Sequence, residues 1–201
     1  MTPLRLAILI SGRGTNMEAI LRAAEADDYP ARPVLVLSNR PEAQGLETAA
    51  NAGLSAVSVD HKAYGKDRES FERALQSVLI EHQIEMVVLA GFMRILTPWF
   101  VSQWTGRMIN IHPSLLPKYP GLHTHQRALD SGDAEAGCSV HWVTEGVDEG
   151  GVIAQARVSV LANDTADTLA DRVLGEEHKL YPKAVALAAE QIRSKKKPLS
   201  V

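Results

Sequence analysis

Apolar positions recur along the first half of the chain in two rhythms. Residues 6–10 (LAILI), 34–38 (VLVLS), 56–59 (AVSV), 86–90 (MVVLA) and 108–111 (MINI) are short, nearly unbroken apolar runs. Such runs mark strands covered on both faces. Helical rhythm lies between them. Met17, Ile20, Leu21 and Ala24 fall at i, i+3, i+4 and i+7, and Phe71, Leu75, Val78 and Leu79 form one stripe of a helix expected over 67–82. A further helix over 42–52 stops at Gly53, a C-cap residue. Strands alternating with helices predict an α/β fold: a Rossmann-like, mostly parallel twisted sheet with helices on both faces and right-handed crossovers.

The rhythm changes after residue 121. Residues 138–145 and 152–160 read as longer strands, the second with Val152, Ala154, Ala156, Val158 and Val160 on one face. They flank GVDEGG, which predicts an antiparallel C-terminal hairpin extending the sheet. A last helix is expected to start after Asn163 or Asp164 and to run past Leu180, with Pro182 kinking or restarting it.

Composition narrows the function classes. A chain of 201 residues with 45% hydrophobic and 22% charged residues is an ordinary single globular domain. A net charge of −3 argues against a broad nucleic-acid surface but leaves room for a local anion site. One cysteine, Cys138, allows no intramolecular disulfide and fits a reducing cytoplasm; its neighbours Gly137 and Val140 suggest a small buried residue. No export signal is visible, and the apolar run at 86–93 is too short for a membrane span. The lysines at 195–197 read as a solvated tail, within a flexible end expected over 191–201.

Two stretches carry candidate chemistry. SGRGTN (11–16) joins the first strand to the first helix. Its glycines let backbone N–H groups approach a ligand at a helix N-terminus, which suits one phosphate. A dinucleotide fingerprint fails, because Met17 stands where the third glycine belongs and Ser38-Asn39-Arg40 replaces the acidic residue after the second strand. A tight turn without a ligand explains the stretch equally well. The second stretch, INIHPSLLPKYPG (109–121), ends a strand in Asn110 and His112, which project to one side just where ligands bind in such sheets. An amide can stabilise an oxyanion and an imidazole can move a proton near neutral pH. Asp148 is the favoured carboxylate partner for His112, with Glu145 and Glu149 as alternatives. His112, His123, His125 and His141 lack a zinc spacing, so no metal is expected. Glu177 shares a helical stripe with Leu169, Val173 and Leu180, and is either a face-edge residue reaching water or an acceptor for ligand hydroxyls.

Six segments together resemble one family. SGRGTN, LAGFMRIL (89–96), NIHPSLLPKYPGLHTH (110–125), GCSVHWV (137–143), VDEG (147–150) and EEHKLYP (176–182) are similar to the phosphoribosylglycinamide formyltransferases, over residues 5 to about 185. HPSLLP marks the wider formyltransferase superfamily; KYPGLHTH and the SGRGTN loop narrow it. The resemblance implies transfer of a formyl group from 10-formyltetrahydrofolate to the glycine amine of glycinamide ribonucleotide, in purine biosynthesis. It implies Asn110, His112 and Asp148 as catalytic residues. It places the nucleotide phosphate on Gly14, Thr15 and Asn16 and the ribose hydroxyls on Glu177. Folate would lie along Met93, Arg94, Ile95 and Leu96 and along Thr144, Glu145, Gly146, Val147 and Asp148, with Asn110 between and Arg68 near the glutamate tail. Residues 1–110 would then form the nucleotide-phosphate half and 111–190 the folate-binding and catalytic part of one domain. The prolines after His112 would fix that loop. Glu149 departs from the family pattern, which has glycine there. A folate hydrolase is expected to carry an extra N-terminal domain and a tRNA formyltransferase an extra C-terminal one; a non-catalytic nucleotide-binding protein would not need the three catalytic residues. Nothing in the sequence selects between a monomer and a homodimer.

Overall fold

The computed structural model describes residues 2–196. Seven strands form one sheet: β1 (Leu4–Ile10), β2 (Ala31–Ser38), β3 (Ser55–Ser58), β4 (Met86–Leu89), β5 (Met108–His112), β6 (Glu135–Trp142) and β7 (Val152–Ser159). Their order is β3-β2-β1-β4-β5-β6-β7, with β1 to β5 parallel and β6 and β7 added antiparallel. The helices are α1 (Thr15–Ala23), α2 (Gln44–Asn51), α3 (Arg68–Glu81), α4 (Pro98–Gln103), α5 (Thr124–Asp130) and α6 (Ala166–Lys196). This is the α/β architecture that the alternation of strands and helices predicts.

The unbroken apolar strands follow from a core on each side of the sheet. Side chains alternate along a strand, so β1 divides its residues between two cores. Leu4, Leu6, Ile8 and Ile10 join Met17, Ile20 and the buried face of α6. Ala7 and Leu9 join Phe71, Leu75 and Leu79 of α3 and Phe100 of α4. β4 divides likewise, with Met86 and Val88 on the first side and Val87 and Leu89 on the second. β1 and β4 are neighbours, and the chain leaves them toward opposite edges of the sheet. A crevice opens beyond their carboxyl ends at such a point.

Several details differ from expectation. β6 lies three residues earlier than 138–145, because its pairing with β7 begins at Glu135, before its apolar run. α6 is one 31-residue helix that continues through Pro182. Tertiary bonds bracket the proline: the buried Tyr181 hydroxyl donates to the Leu89 carbonyl at 2.7 Å, and the Tyr29 hydroxyl donates to the Pro182 carbonyl at 2.7 Å. The cap of α6 is Thr165 rather than Asn163 or Asp164. The Thr165 N–H donates to Thr168 Oγ1 and the Thr168 N–H donates to Thr165 Oγ1. Asp164 instead pairs with Arg172 at 2.7 Å. Residues 191–196 of the end expected to be flexible continue α6 instead, and Ile192 among them is buried. Residues 197–201 of that end, including Lys197, lie outside the described residues. α4 and α5 have too few turns to show a rhythm in sequence.

The loop after β5 is held from below as well as by its prolines. Ser139 Oγ of β6 accepts from the Leu116 N–H at 3.0 Å and donates to the Ser114 carbonyl at 2.6 Å. Gln155 Nε2 of β7 donates to the Leu116 carbonyl at 2.9 Å. Gly137 makes room beneath it: a Cβ there would overlap the Ala156 carbonyl oxygen and lie 2.8 Å from Leu115. Overpacking of this kind costs about 1–3 kcal/mol. Gly137→Ala should therefore lower the thermal midpoint by roughly 2–12 °C, at about 2–4 °C per kcal/mol for a domain of this size, read by differential scanning calorimetry. An unchanged midpoint would contradict so close an approach of β6, β7 and the loop.

Candidate active site

Asn110 and His112 stand at the carboxyl end of β5, two residues apart and on one side of the sheet. Opposite Asn110 in the antiparallel register is His141 of β6. Cross-strand partners share a face, and here the Asn110 Nδ2 lies 3.4 Å from His141 Nε2. The sequence offered His141 only as a metal-ligand candidate. Its place beside Asn110 depends on strand register, which the sequence does not display.

Asp148 closes the cluster from the loop between β6 and β7. One carboxylate oxygen lies 3.3 Å from His112 Nδ1 and accepts the Gly121 N–H at 2.9 Å. The other lies 3.4 Å from His141 Nε2. Burial pushes the Asp148 carboxyl up, but the His141 and Gly121 hydrogen bonds and the two imidazoles outweigh it, so its pKa falls below the ordinary aspartate value. The other two carboxylates considered for this role are exposed and turned elsewhere. Glu149 folds back over Gly146, where a Cβ would overlap its carboxylate.

The far side of each imidazole is tied to backbone. His112 Nε2 lies 2.8 Å from the Tyr119 carbonyl, and His141 Nδ1 lies 2.9 Å from the Trp142 carbonyl. A carbonyl only accepts, so each ring places an N–H there. The nitrogen of either ring that faces Asp148 then carries a hydrogen when that ring is an imidazolium, and otherwise accepts, as His141 Nε2 can from Asn110 Nδ2. Tyr119 and Asp148, whose oxygens face the His112 ring nitrogens, both have left-handed backbone, with φ of 55° and 57°. That conformation costs a non-glycine residue about 1–3 kcal/mol and concentrates at functional sites. His125 of α5 lies close enough that burial and the His112 charge together lower its pKa.

A second cluster lies at the start of α1. Gly14 takes φ 79° at its N-cap, and no side chain caps the helix, which leaves the first N–H groups directed outward. Gly45 of α2 lets this loop pack tightly: its N–H donates to the Gly12 carbonyl at 3.1 Å, and a Cβ there would lie 2.5 Å from Ile10. Met17, in the place of a third fingerprint glycine, is wholly buried below Gly14. Asn16 Nδ2 donates to Glu177 Oε2 at 2.6 Å across to α6. Burial raises the Glu177 pKa, an effect that the Asn16 hydrogen bond only partly offsets. Asn16 Oδ1 is buried without a protein partner.

The expected folate-side positions form two exposed segments. Met93 and Ile95 are about two-thirds exposed, at 67% and 69%, and Val147 is half exposed. Arg68 Nη2 donates to the Ile95 carbonyl, so this arginine also braces the segment it was expected to flank. Arg94 and Leu96 are half-buried, as is Gly146, whereas Thr144 and Glu145 are exposed. The proposed halves interlock: Glu177 from the second meets Asn16 of the first, and residues 93–96 come from the first. Among the described residues, no group of three His, Cys, Asp or Glu is placed to hold a metal, and no helix is long and apolar enough to cross a membrane.

Known proteins resemble this chain over most of its length. Residues 4–185 match the formyl transferase family. The phosphoribosylglycinamide formyltransferase of Escherichia coli is 46% identical over 187 residues, which cover 93% of this chain and 88% of that protein. The trifunctional purine biosynthetic protein adenosine-3 of Drosophila pseudoobscura pseudoobscura is 47% identical over 92% of this chain, although the match spans only 14% of that longer protein. The crystal structure of phosphoribosylglycinamide formyltransferase from Brucella melitensis superposes with a TM-score of 0.89 at 49% identity, covering 94% of this chain and 96% of that one. With fold, segment pattern and length of match in agreement, this chain belongs to the formyl transferase family, among the phosphoribosylglycinamide formyltransferases.

Proposed function

We propose that this protein transfers the formyl group of 10-formyltetrahydrofolate to the glycine amine of N1-(5-phospho-D-ribosyl)glycinamide, giving the N-formyl product and tetrahydrofolate in cytoplasmic purine biosynthesis. The observation that carries this reading is the meeting of Asn110, His112 and Asp148 at the end of β5, beside an uncapped helix N-terminus. The phosphate sits on the N–H groups of Gly14, Thr15 and Asn16, where the partial positive charge of α1 favours an anion. Glu177 and the unpartnered Asn16 Oδ1 accept the ribose hydroxyls. Folate lies between residues 93–96 and 144–148, with Arg68 toward its glutamate tail.

The chemistry then follows from the cluster. The amine nitrogen attacks the formyl carbon, and the carbonyl oxygen becomes an oxyanion. Asn110 Nδ2 and the His112 imidazolium stabilise that charge. The Asp148 carboxylate beside Nδ1 stabilises the imidazolium form of His112, and His141 and the Gly121 N–H hold Asp148. The bond from the formyl carbon to N10 breaks as the C–N bond to glycinamide is completed. The proton lost by the amine goes to N10 of the departing folate, passed through the Asp148–His112 pair. The backbone tie from His112 to Tyr119 and the anchored loop keep the imidazole in place, so little reorganisation accompanies the step.

Three outcomes test this reading. Purified protein mixed with 10-formyltetrahydrofolate should release tetrahydrofolate, followed by absorbance, only when the ribonucleotide is present. Release without it would indicate a hydrolase, and binding without release would indicate a non-catalytic protein. His112→Ala and Asp148→Asn should each lower kcat by about 10²–10³, the scale of a lost oxyanion contact. His141→Ala should cost roughly tenfold, because it removes one of the groups around Asp148.

Glu177 supplies a pH test. Its raised pKa means that the folded protein holds this proton more tightly than the unfolded chain does. The associated stability is complete below the ordinary glutamate value and is lost as pH rises through the raised one. Hydroxyls donating to Glu177 favour the carboxylate, so nucleotide binding between those two values should release protons. Isothermal titration in two buffers of different ionisation enthalpy should detect the release, and Glu177→Gln should abolish it. Proton uptake, or release retained in the variant, would remove Glu177 from the nucleotide site.

A further inference from the structure

Ser38-Asn39-Arg40, after β2, is the one motif of the sequence that neither substrate uses in this reading. Asn39 is buried, at 1% exposure, where a Rossmann-type dinucleotide site would place its acidic residue. Its side chain faces inward to Ser11, the first residue of the SGRGTN loop. The Met93 N–H donates to Ser11 Oγ at 2.8 Å. The Ser11 hydroxyl has a single hydrogen, which it donates to Asn39 Oδ1 at 2.5 Å. The Ser11 N–H donates to the Gly91 carbonyl at 3.1 Å. Behind Asn39, His61 Nδ1 lies 2.8 Å from the Asn39 carbonyl and 3.2 Å from Asn39 Nδ2. A backbone N–H can only donate, so Ser11 Oγ accepts at Met93, which leaves its own hydrogen for Asn39 Oδ1.

We infer that Ser11, with Asn39 behind it, is a positioning residue that fixes the folate-side segment 92–96 against the phosphate-side loop 11–16. This rests on the reading of residues 93–96 as the folate side. The side chains of Met93 and Ile95 point into solvent, while Phe92 and Leu96 pack into the core beneath them. The backbone between and beyond these two anchors is tied separately: at Met93 by Ser11, at Ile95 by Arg68, and at Thr97 by Glu72, which accepts the Thr97 N–H at 2.7 Å. Of these three ties, only the Ser11 tie reaches the phosphate loop. Removing the hydroxyl leaves the Met93 N–H without its partner and strands the buried Asn39 Oδ1, and a stranded buried group weighs more than a lost surface bond. The same residue thereby aligns both substrates across the opening between β1 and β4.

The test uses Ser11→Ala, Asn39→Ala and the double variant. The dissociation constants of tetrahydrofolate and of the ribonucleotide are measured by titration calorimetry, and amide hydrogen exchange is followed over residues 91–96 and over β5. Ser11→Ala should weaken tetrahydrofolate about tenfold, the scale of one buried hydrogen bond, and the ribonucleotide less than twofold. Asn39→Ala should act in the same direction, and the double variant should be no worse than Ser11→Ala, because one chain is broken once. Exchange should rise over 91–96 and not over β5. Equal weakening of both ligands with faster exchange throughout would mean a general loss of stability and would overturn the assignment. So would unchanged exchange over 91–96. If the wild-type protein binds no tetrahydrofolate, the functional reading falls. The exchange data still decide whether Ser11 holds the segment.

Discussion

One carboxylate gathers the site. Asp148 sits between two imidazoles and a backbone N–H that come from β5, β6 and the loop after His112. A buried carboxylate is costly unless its oxygens are served, and here both are. That requirement ties together segments far apart in the chain. It needs β6 to run antiparallel to β5, so that His141 faces Asn110. It needs the loop after β5 to return Gly121 to the sheet end. It needs a left-handed backbone at Asp148 itself.

The rest of the fold keeps those segments still. Side chains of β6 and β7 pass under the loop after His112 and bond its backbone at Ser114 and Leu116. Tyr119, further along the same loop, presents its carbonyl to His112 and anchors its own hydroxyl on Asp133 at 2.8 Å. Strain at Tyr119 and Asp148 persists because the surroundings over-determine both residues. The segment proposed for folate is built differently. Met93 and Ile95 are open to solvent while its backbone is tied at Met93, Ile95 and Thr97. An apolar surface on a fixed backbone is suited to a flat heteroaromatic ligand, because little order remains to be imposed on binding.

Glu177 shows the two sides of burying a charge. It lies on the apolar stripe of α6 with Leu169 and Val173 and is 8% exposed. Asn16 serves one of its oxygens, and burial still raises its pKa. A ligand that donates hydroxyls would relieve that cost.

The sequence by itself determined the strands, most helices, and the ends at which chemistry could occur. Burial on both faces writes an apolar run into each parallel strand, and a one-sided helix writes its period, so both patterns are local and legible. Asn110 and His112 were visible for the same reason, because a period of two puts them on one side. Only the tertiary structure decided what depends on register and on distant contacts. His141 becomes a neighbour of Asn110 through antiparallel pairing that no local pattern encodes. Asp148 rather than Glu145 or Glu149 reaches His112 because of a loop conformation. α6 runs through Pro182 while tertiary hydrogen bonds hold the residues on either side, although local propensity alone would end it there. Asn39, which looked like a missing acidic residue, proved to be a buried link between two loops, because its partners lie 28 residues away at Ser11 and 22 away at His61.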